Sequence, residues 1–213
     1  MESLEPGRTV GTGFTNSNRM LDPVLSKQYE IGVKTEQARW SSTAALFRIE
    51  RPSEYVDASN TVVQSGQSSY QGLELGVSGL VGTQWQLGGS LMLLDTSYDK
   101  GSANLGNRVV GAPEWMATGR VAYKVPGVDN LKLMADFKYT GDVMLNATNT
   151  IKADSHVLAN LGASYSVKMG SYLTTFRAAV NNVGNEKFWE YQYAGWIKPA
   201  DPRTFSLTAK VDF

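Results

Sequence analysis

Side chains able to carry covalent or metal chemistry are scarce. The 213 residues hold no cysteine and one histidine, His156. Disulfides, thiol catalysis and thiolate metal sites are therefore ruled out by composition. A Ser-His-Asp triad would hang on His156 alone, and a metal centre would find no second imidazole. No pair of carboxylates stands out as an acid/base couple. The stretch NRVVGAP (107–113) lacks the glycine pattern of a phosphate loop. Twenty basic and twenty acidic side chains cancel, so a polyanion such as nucleic acid is not favoured as a partner. These observations point away from an enzyme. What remains is non-covalent recognition by aromatic rings, which offer flat apolar contacts. The segment 184–202 carries Phe188, Trp189, Tyr191, Tyr193 and Trp196. Contact with a membrane's outer leaflet, a ligand-facing cluster and simple loop packing are the readings open to them. His156 shares a face with Asn160 and Ser164, as a structural or solvated group or as a ligand contact.

Strands must position these residues, because period two dominates the chain. Phe205, Leu207, Ala209, Val211 and Phe213 alternate with Thr204, Ser206, Thr208, Lys210 and Asp212. Val157 to Val167 and Leu131 to Tyr139 repeat the pattern, as do Trp115 to Tyr123, Trp85 to Leu93, Leu73 to Val77 and Tyr29 to Val33. Residues 38–50 and 172–183 alternate more weakly and are read as strands from their flanks too. No segment holds a helical period. Short links are expected near residue 37 and at 81–83, 126–129 and 169–171. Long ones are expected at 51–60, 97–112, 144–154 and 184–202. Short and long alternate, which gives an all-β, antiparallel meander of about nine strands.

No stretch approaches ~18 consecutive apolar residues, so no transmembrane helix is expected. Membrane-spanning β-strands escape such a test because every second residue is polar. Short turns at one end, long loops at the other and aromatics near the strand ends (Tyr29, Trp40, Trp85, Trp115, Tyr139, Phe205 and Phe213) fit an outer-membrane barrel. On that reading Leu73, Leu75, Val77, Leu131, Leu133, Phe137, Leu161, Phe205, Leu207 and Val211 face lipid. Glu74, Lys132, Asp136, Asn160, Ser206 and Lys210 face the lumen. A soluble β-sandwich with an aromatic core is the competing architecture.

The segment AAVNNVGNEKFWEYQYAGWIKPADPRTFSLTAKVDF (Ala178 to Phe213) resembles the C-terminal part of TonB-dependent ferric-siderophore receptors of the outer membrane. Asn181, Asn182, Asn185, Lys187 and Phe188, then Pro202, Arg203 and Phe213, carry the likeness; Val183 and Phe188 depart mildly from the commonest form. SKQYEIGVKTE (26–36), TAALFRIER (43–51), YQGLELGVSG (70–79) and GNRVVGAPEW (106–115) extend it over most of the chain. The resemblance implies the C-terminal part of a 22-stranded barrel, with residues 1–25 the remnant of an extracellular loop and 26–213 barrel wall. Plug and TonB box have no counterpart in these residues. It further implies a ferric siderophore as ligand, of hydroxamate type by overall similarity, with iron carried as the chelate and no cofactor bound directly. The implied partners are outer-membrane lipid and lipopolysaccharide, the TonB complex through a plug, and the barrel-assembly machinery, read through Phe213. A porin-like or small closed barrel is the alternative, and it requires an even strand number within the chain.

Overall fold

The computed structural model describes residues 2–101, 104–193 and 195–213. Fourteen strands run through them: β1 (Glu2–Glu5), β2 (Val24–Glu36), β3 (Trp40–Val56), β4 (Val62–Val81), β5 (Trp85–Lys100), β6 (Trp115–Lys124), β7 (Leu131–Thr140), β8 (Val143–Met144), β9 (Lys152–Ala153), β10 (His156–Met169), β11 (Tyr172–Asn181), β12 (Trp189–Tyr193), β13 (Trp196–Pro199) and β14 (Thr204–Asp212). Ten form one sheet in the order β1-β2-β3-β4-β5-β6-β7-β10-β11-β14. Every neighbouring pair is antiparallel. The nine long strands follow the expected meander, and β1 adds a short tenth against β2. The even count does not make a closed barrel, because β1 and β14 lie at opposite edges of the sheet. The small closed barrel is thereby set aside.

One sheet with no facing sheet also sets the sandwich aside. Among the described residues the buried apolar cluster is Val10, Leu21 and Val62 with Phe14 beside it, at one end of the wall. There the loop 6–23 folds over the tip of the β3–β4 hairpin. Asn16 and the Val62 backbone exchange hydrogen bonds of 2.9 and 3.0 Å, and Thr15 N–H donates to the Asn60 carbonyl at 2.9 Å.

Cross-strand partners share a face, so the register decides orientation. One row runs Val81, Trp85, Tyr123, Leu133, Ala163, Ala178 and Leu207. Another, on the opposite face, runs Ser78, Gly88, Arg120, Asp136 and Asn160. All ten residues expected to face lipid lie with the first row and all six expected in the lumen with the second. Trp115 stacks on Tyr139 at a centroid distance of 3.8 Å, and Trp85 lies 4.3 Å from Tyr123. Between these two aromatic pairs, β6 presents only Ala117, Gly119 and Val121 outward. The span from Trp115 to Tyr123 is about 26 Å along the strand. Tilted by ~40°, it covers about 20 Å of membrane normal, close to the ~25 Å apolar band of outer-membrane barrels.

The links at the Trp85–Tyr123 end are 37–39, 82–84, 125–130 and 170–171, all short. At the other end the expected 51–60 loop is a correction. β3 and β4 continue to Val56 and from Val62, leaving only 57–61 as a turn. Pairing persists there because polar side chains serve both faces once the strands leave lipid. Tyr55 Oη and Ser65 Oγ share a 3.2 Å hydrogen bond, and Arg8 pairs with Glu54. Without apolar alternation, a polar hairpin reads as loop.

Candidate functional site

The remaining links at that end, 101–114, 141–155 and 182–203, are long. Arg108 ties the first to the second. Its Nη1 donates to Asp142 Oδ2 at 2.9 Å and its Nη2 to the Asp142 carbonyl at 2.8 Å. Its backbone N–H donates to Asn149 Oδ1 at 2.7 Å, and Asn149 Nδ2 returns a 3.0 Å bond to the Arg108 carbonyl. Glu114 Oε1 lies 3.6 Å from Nε, an ion-pair distance too long for a hydrogen bond. The guanidinium is only 18% exposed, so these charge-assisted bonds hold the two links as a unit. Asn107 Nδ2 adds a 2.9 Å bond to the Ala147 carbonyl, and Gly111 N–H one of 2.9 Å to the Met144 carbonyl.

The third link is clamped at its base by Asn182. That residue is buried, with φ at 51°, a left-handed conformation Asn tolerates better than most residues. Its Oδ1 accepts from Glu186 N–H at 2.8 Å, and its Nδ2 donates to the Glu186 and Asp201 carbonyls at 3.0 Å each. Its own N–H donates to Asn160 Oδ1 at 2.9 Å, and Asn160 Nδ2 to Asp136 Oδ2 at 2.8 Å. The loop is thus anchored into the lumen face of the wall. Further out, β12 and β13 form a hairpin fastened by Lys198 Nζ to Glu190 Oε2 at 2.9 Å. The Glu190 carboxylate raises the Lys198 pKa.

The five aromatics divide. Phe188 stacks on His156 with ring centroids 3.6 Å apart and planes 9° from parallel. His156 thus packs beneath the loop, and its Nδ1 has no hydrogen-bond partner. Tyr191 packs over Gly111, whose φ of 78° and missing side chain make room for the ring. Burial raises the Tyr191 pKa, with smaller contributions from Tyr98 and Tyr70 nearby. Trp189, Tyr193 and Trp196 stay more than half exposed, and the last two rings lie 5.7 Å apart. Phe213 is fully exposed at the end of β14, its ring edge-on to that of Tyr172 at 6.4 Å.

The arrangement presents aromatic surface at the rim of a polar-lined wall. Among the described residues no three His, Asp or Glu side chains gather as a metal site, and His156 has a phenyl ring as its close neighbour. Non-covalent contact is what such a rim can supply.

A family model described as TonB dependent receptor-like, beta-barrel matches residues 4–183. The chain belongs to the TonB-dependent receptor β-barrel family. It is 33% identical over 223 residues to the ferrichrome receptor FcuA of Yersinia enterocolitica, covering all of this chain and 29% of that protein. The ferrioxamine B receptor of Salmonella typhimurium is 26% identical over 189 residues, covering 83% of this chain and 26% of the relative. Among solved structures, the ferric preacinetobactin receptor BauA of Acinetobacter baumannii superposes with a TM-score of 0.86 at 27% identity. That match covers all of this chain and 33% of BauA. The ferric yersiniabactin receptor FyuA of Yersinia pestis reaches 0.83 at 17% identity, a likeness of fold. The TonB-dependent receptor segment described here thus spans about a third or less of the length of these relatives. It is wall of a bacterial outer-membrane barrel, and its named relatives are receptors rather than enzymes.

Sequence reasoning grouped the aromatics of 184–202 but missed what holds them. Arg108 and Asn182 sit inside the recognised segments GNRVVGAPEW and NNVGN, yet nothing in their spacing announces a buried node. Tyr70 and Tyr98 come from neighbouring strands β4 and β5, and the packing of Tyr191 over Gly111 brings the hairpin near them.

Proposed function

We propose that this chain forms barrel wall and extracellular mouth of a receptor that binds ferric siderophores and imports them with TonB-derived energy. Residues 1–25 belong to the mouth and 26–213 to the wall with its loops. The observation that carries the reading is the alignment of this whole chain with 29% of a ferrichrome receptor, strengthened by the rim that Arg108 and Asn182 hold in place. Phe188, Trp189, Tyr191, Tyr193 and Trp196 are the proposed ligand contacts. A bulky chelate with an apolar surface is the ligand such rings suit. The ion stays within its chelate, and among the described residues no cluster of His, Asp or Glu competes for bare iron. Ferrichrome or another hydroxamate chelate is the first candidate. Lipopolysaccharide and lipid contact the apolar band, the TonB complex engages the receptor outside this segment, and Phe213 is read by the barrel-assembly machinery.

Uptake of iron-labelled ferrichrome by receptor-deficient cells carrying the whole receptor gene tests this. Energy-dependent accumulation is expected; no accumulation of any hydroxamate chelate would sink the reading.

A further inference from the structure

Four consecutive backbone donors fix the segment 108–111, each to a different acceptor. Arg108 N–H donates to Asn149 Oδ1 at 2.7 Å and Val109 N–H to Thr96 Oγ1 at 3.0 Å. Val110 N–H donates to Tyr98 Oη at 3.5 Å and Gly111 N–H to the Met144 carbonyl at 2.9 Å. The two inner bonds go to β5 and the two outer ones to the second link, 141–155. Val109 and Thr96 are both buried. The Arg108 side chain and carbonyl add their bonds to Asp142 and Asn149. The third link meets this segment at its other end, where the Tyr191 ring covers Gly111. A Cβ at Gly111 would overlap that ring, so the seat fits only a bare Cα. Tyr98, the phenol that receives Val110 N–H, also lies near Tyr191. Loop 6–23 is tied elsewhere, to the β3–β4 tip, through Asn16, Thr15 and the Val10 cluster.

We infer that residues 108–111 are a rigid strap that couples the second link to the β12–β13 hairpin. Loops 101–114, 141–155 and 182–203 then shift as one body, while loop 6–23 stays in place on its own pillar. The inference concerns how one side of the mouth moves, and it is independent of which ligand enters. Three features carry it. First, the strap is short. Arg108 and Gly111 are three residues apart, and every N–H from one to the other is engaged. A displacement at Arg108 therefore reaches Gly111 before the chain can absorb it. Second, the seat has two states. The Tyr191 ring either covers Gly111 or leaves it, because packed contacts are bistable and not continuously deformable. Third, the Arg108 end is held by a mostly buried, charge-assisted pair. Its loss leaves a guanidinium without its carboxylate and frees the strap to move. Coupling of this kind acts in both directions, so whatever loosens the hairpin must also loosen the second link.

Hydrogen exchange read by mass spectrometry, on the whole receptor in liposomes, tests this. Asp142→Ala should speed exchange at 143–153, in its own link, and also at 189–193 and 196–199 in the hairpin. The expected change is about tenfold, the effect of losing one charge-assisted hydrogen bond. Tyr191→Leu should speed exchange in the hairpin and, reciprocally, at 143–153. The double variant should match the stronger single variant and not the product of the two, since both break one path. Exchange at 8–21 and 57–62 should keep its parental rate in all three. Asp142→Asn keeps the side chain's shape and one accepting oxygen, and it should change the same two segments by less. It carries the test if the alanine variant fails to insert. Change confined to 101–114 and 141–155 in the Asp142 variants, or to the hairpin in Tyr191→Leu, would overturn the strap. So would loosening that extends to 8–21, which would mark a general weakening of the wall. Ligand uptake plays no part in the readout, so a receptor that imports nothing still decides the matter.

Discussion

The ring of Phe137 lies over Gly119, its cross-strand partner on the lipid-facing side of the β6–β7 pair. A glycine in mid-strand exposes backbone and offers nothing to pack, and the neighbouring ring covers that gap. A methyl at Gly119 would overlap the ring. Phe47 treats Gly72 similarly on the lumen face, where an added Cβ would stand 2.9 Å from the ring. Gly119→Val is therefore expected to destabilise the folded wall by about 1–3 kcal/mol through overpacking. Urea unfolding of the receptor in liposomes measures it. Adding Phe137→Ala should recover part of the loss, and equal stability of G119V and parent would contradict the contact.

Register makes an adjacent pair a test of sidedness. Val121 belongs to the lipid row with Leu87 and Ala135, and Ala122 to the lumen row with Gln86 and Met134. Val121 lies between the band's centre at Gly119 and the Tyr123 belt, so Val121→Arg should cost ~1–3 kcal/mol, and Ala122→Arg much less. The same urea measurement applies, and the reverse order would exchange the two faces.

Asn182 offers a local test of the rim. Replacing it with Ala removes three side-chain hydrogen bonds and leaves a Cβ residue at positive φ without Asn's local compensation. At ~0.5–1.5 kcal/mol per bond the loop 183–203 would lose about 2–4 kcal/mol. Trypsin added to intact cells should then cut at Lys187 or Arg203, whereas Lys198 is shielded by the proline that follows it, while the barrel stays heat-modifiable. Persisting resistance would show that the clamp lies elsewhere.

The β12–β13 hairpin should respond to alkali and not to mild acid. Lys198 and Tyr191 both have raised pKa values, the first through Glu190 and the second through burial. A raised folded-state pKa contributes stability below the unfolded value and loses it as pH climbs through the folded one. The ordinary values are ~10.4 for Lys and ~10 for Tyr. Resistance of the hairpin to subtilisin, which remains active in alkali, should hold from about pH 7 to 9 and fall only above these values. Tyr191→Phe should remove a late phase from the phenolate absorbance titration. Loosening near neutrality would contradict both assignments.

The wall could be read from the sequence almost completely, since lipid on one side and water on the other stamp period two on every spanning strand. Outside the membrane the stamp fades. The paired extensions of β3 and β4 to Val56 and from Val62 carry polar side chains on both faces, one of them covered in part by loop 6–23, so no alternation marks them. Loop 6–23 docks through Val10, Leu21 and Asn16, residues ordinary in type whose partners lie more than forty positions away. The aromatic set at 188–196 was visible as composition. Its division into packed and free rings depends on Gly111 and His156, which period two does not connect with it.

That division yields the last expectation, which rests on the proposed siderophore reading. Trp189, Tyr193 and Trp196 are 54%, 59% and 62% exposed, so removing any of their side chains leaves no buried cavity, and Tyr193 and Trp196 lose only the ring contact they make with each other. If they meet the chelate, alanine at each should weaken ferrichrome binding while leaving barrel stability and loop protection as they were. Phe188 and Tyr191 are bound up with His156 and Gly111. Alanine at either should disturb the hairpin's position, so that any loss of binding comes with new tryptic cleavage. Binding to whole cells and protease mapping on the same samples separate the two groups. Unaltered affinity in the triple variant of Trp189, Tyr193 and Trp196, with the receptor correctly inserted, would remove these rings from the ligand's path. Lipid or neighbouring loops would then be the reason for their exposure.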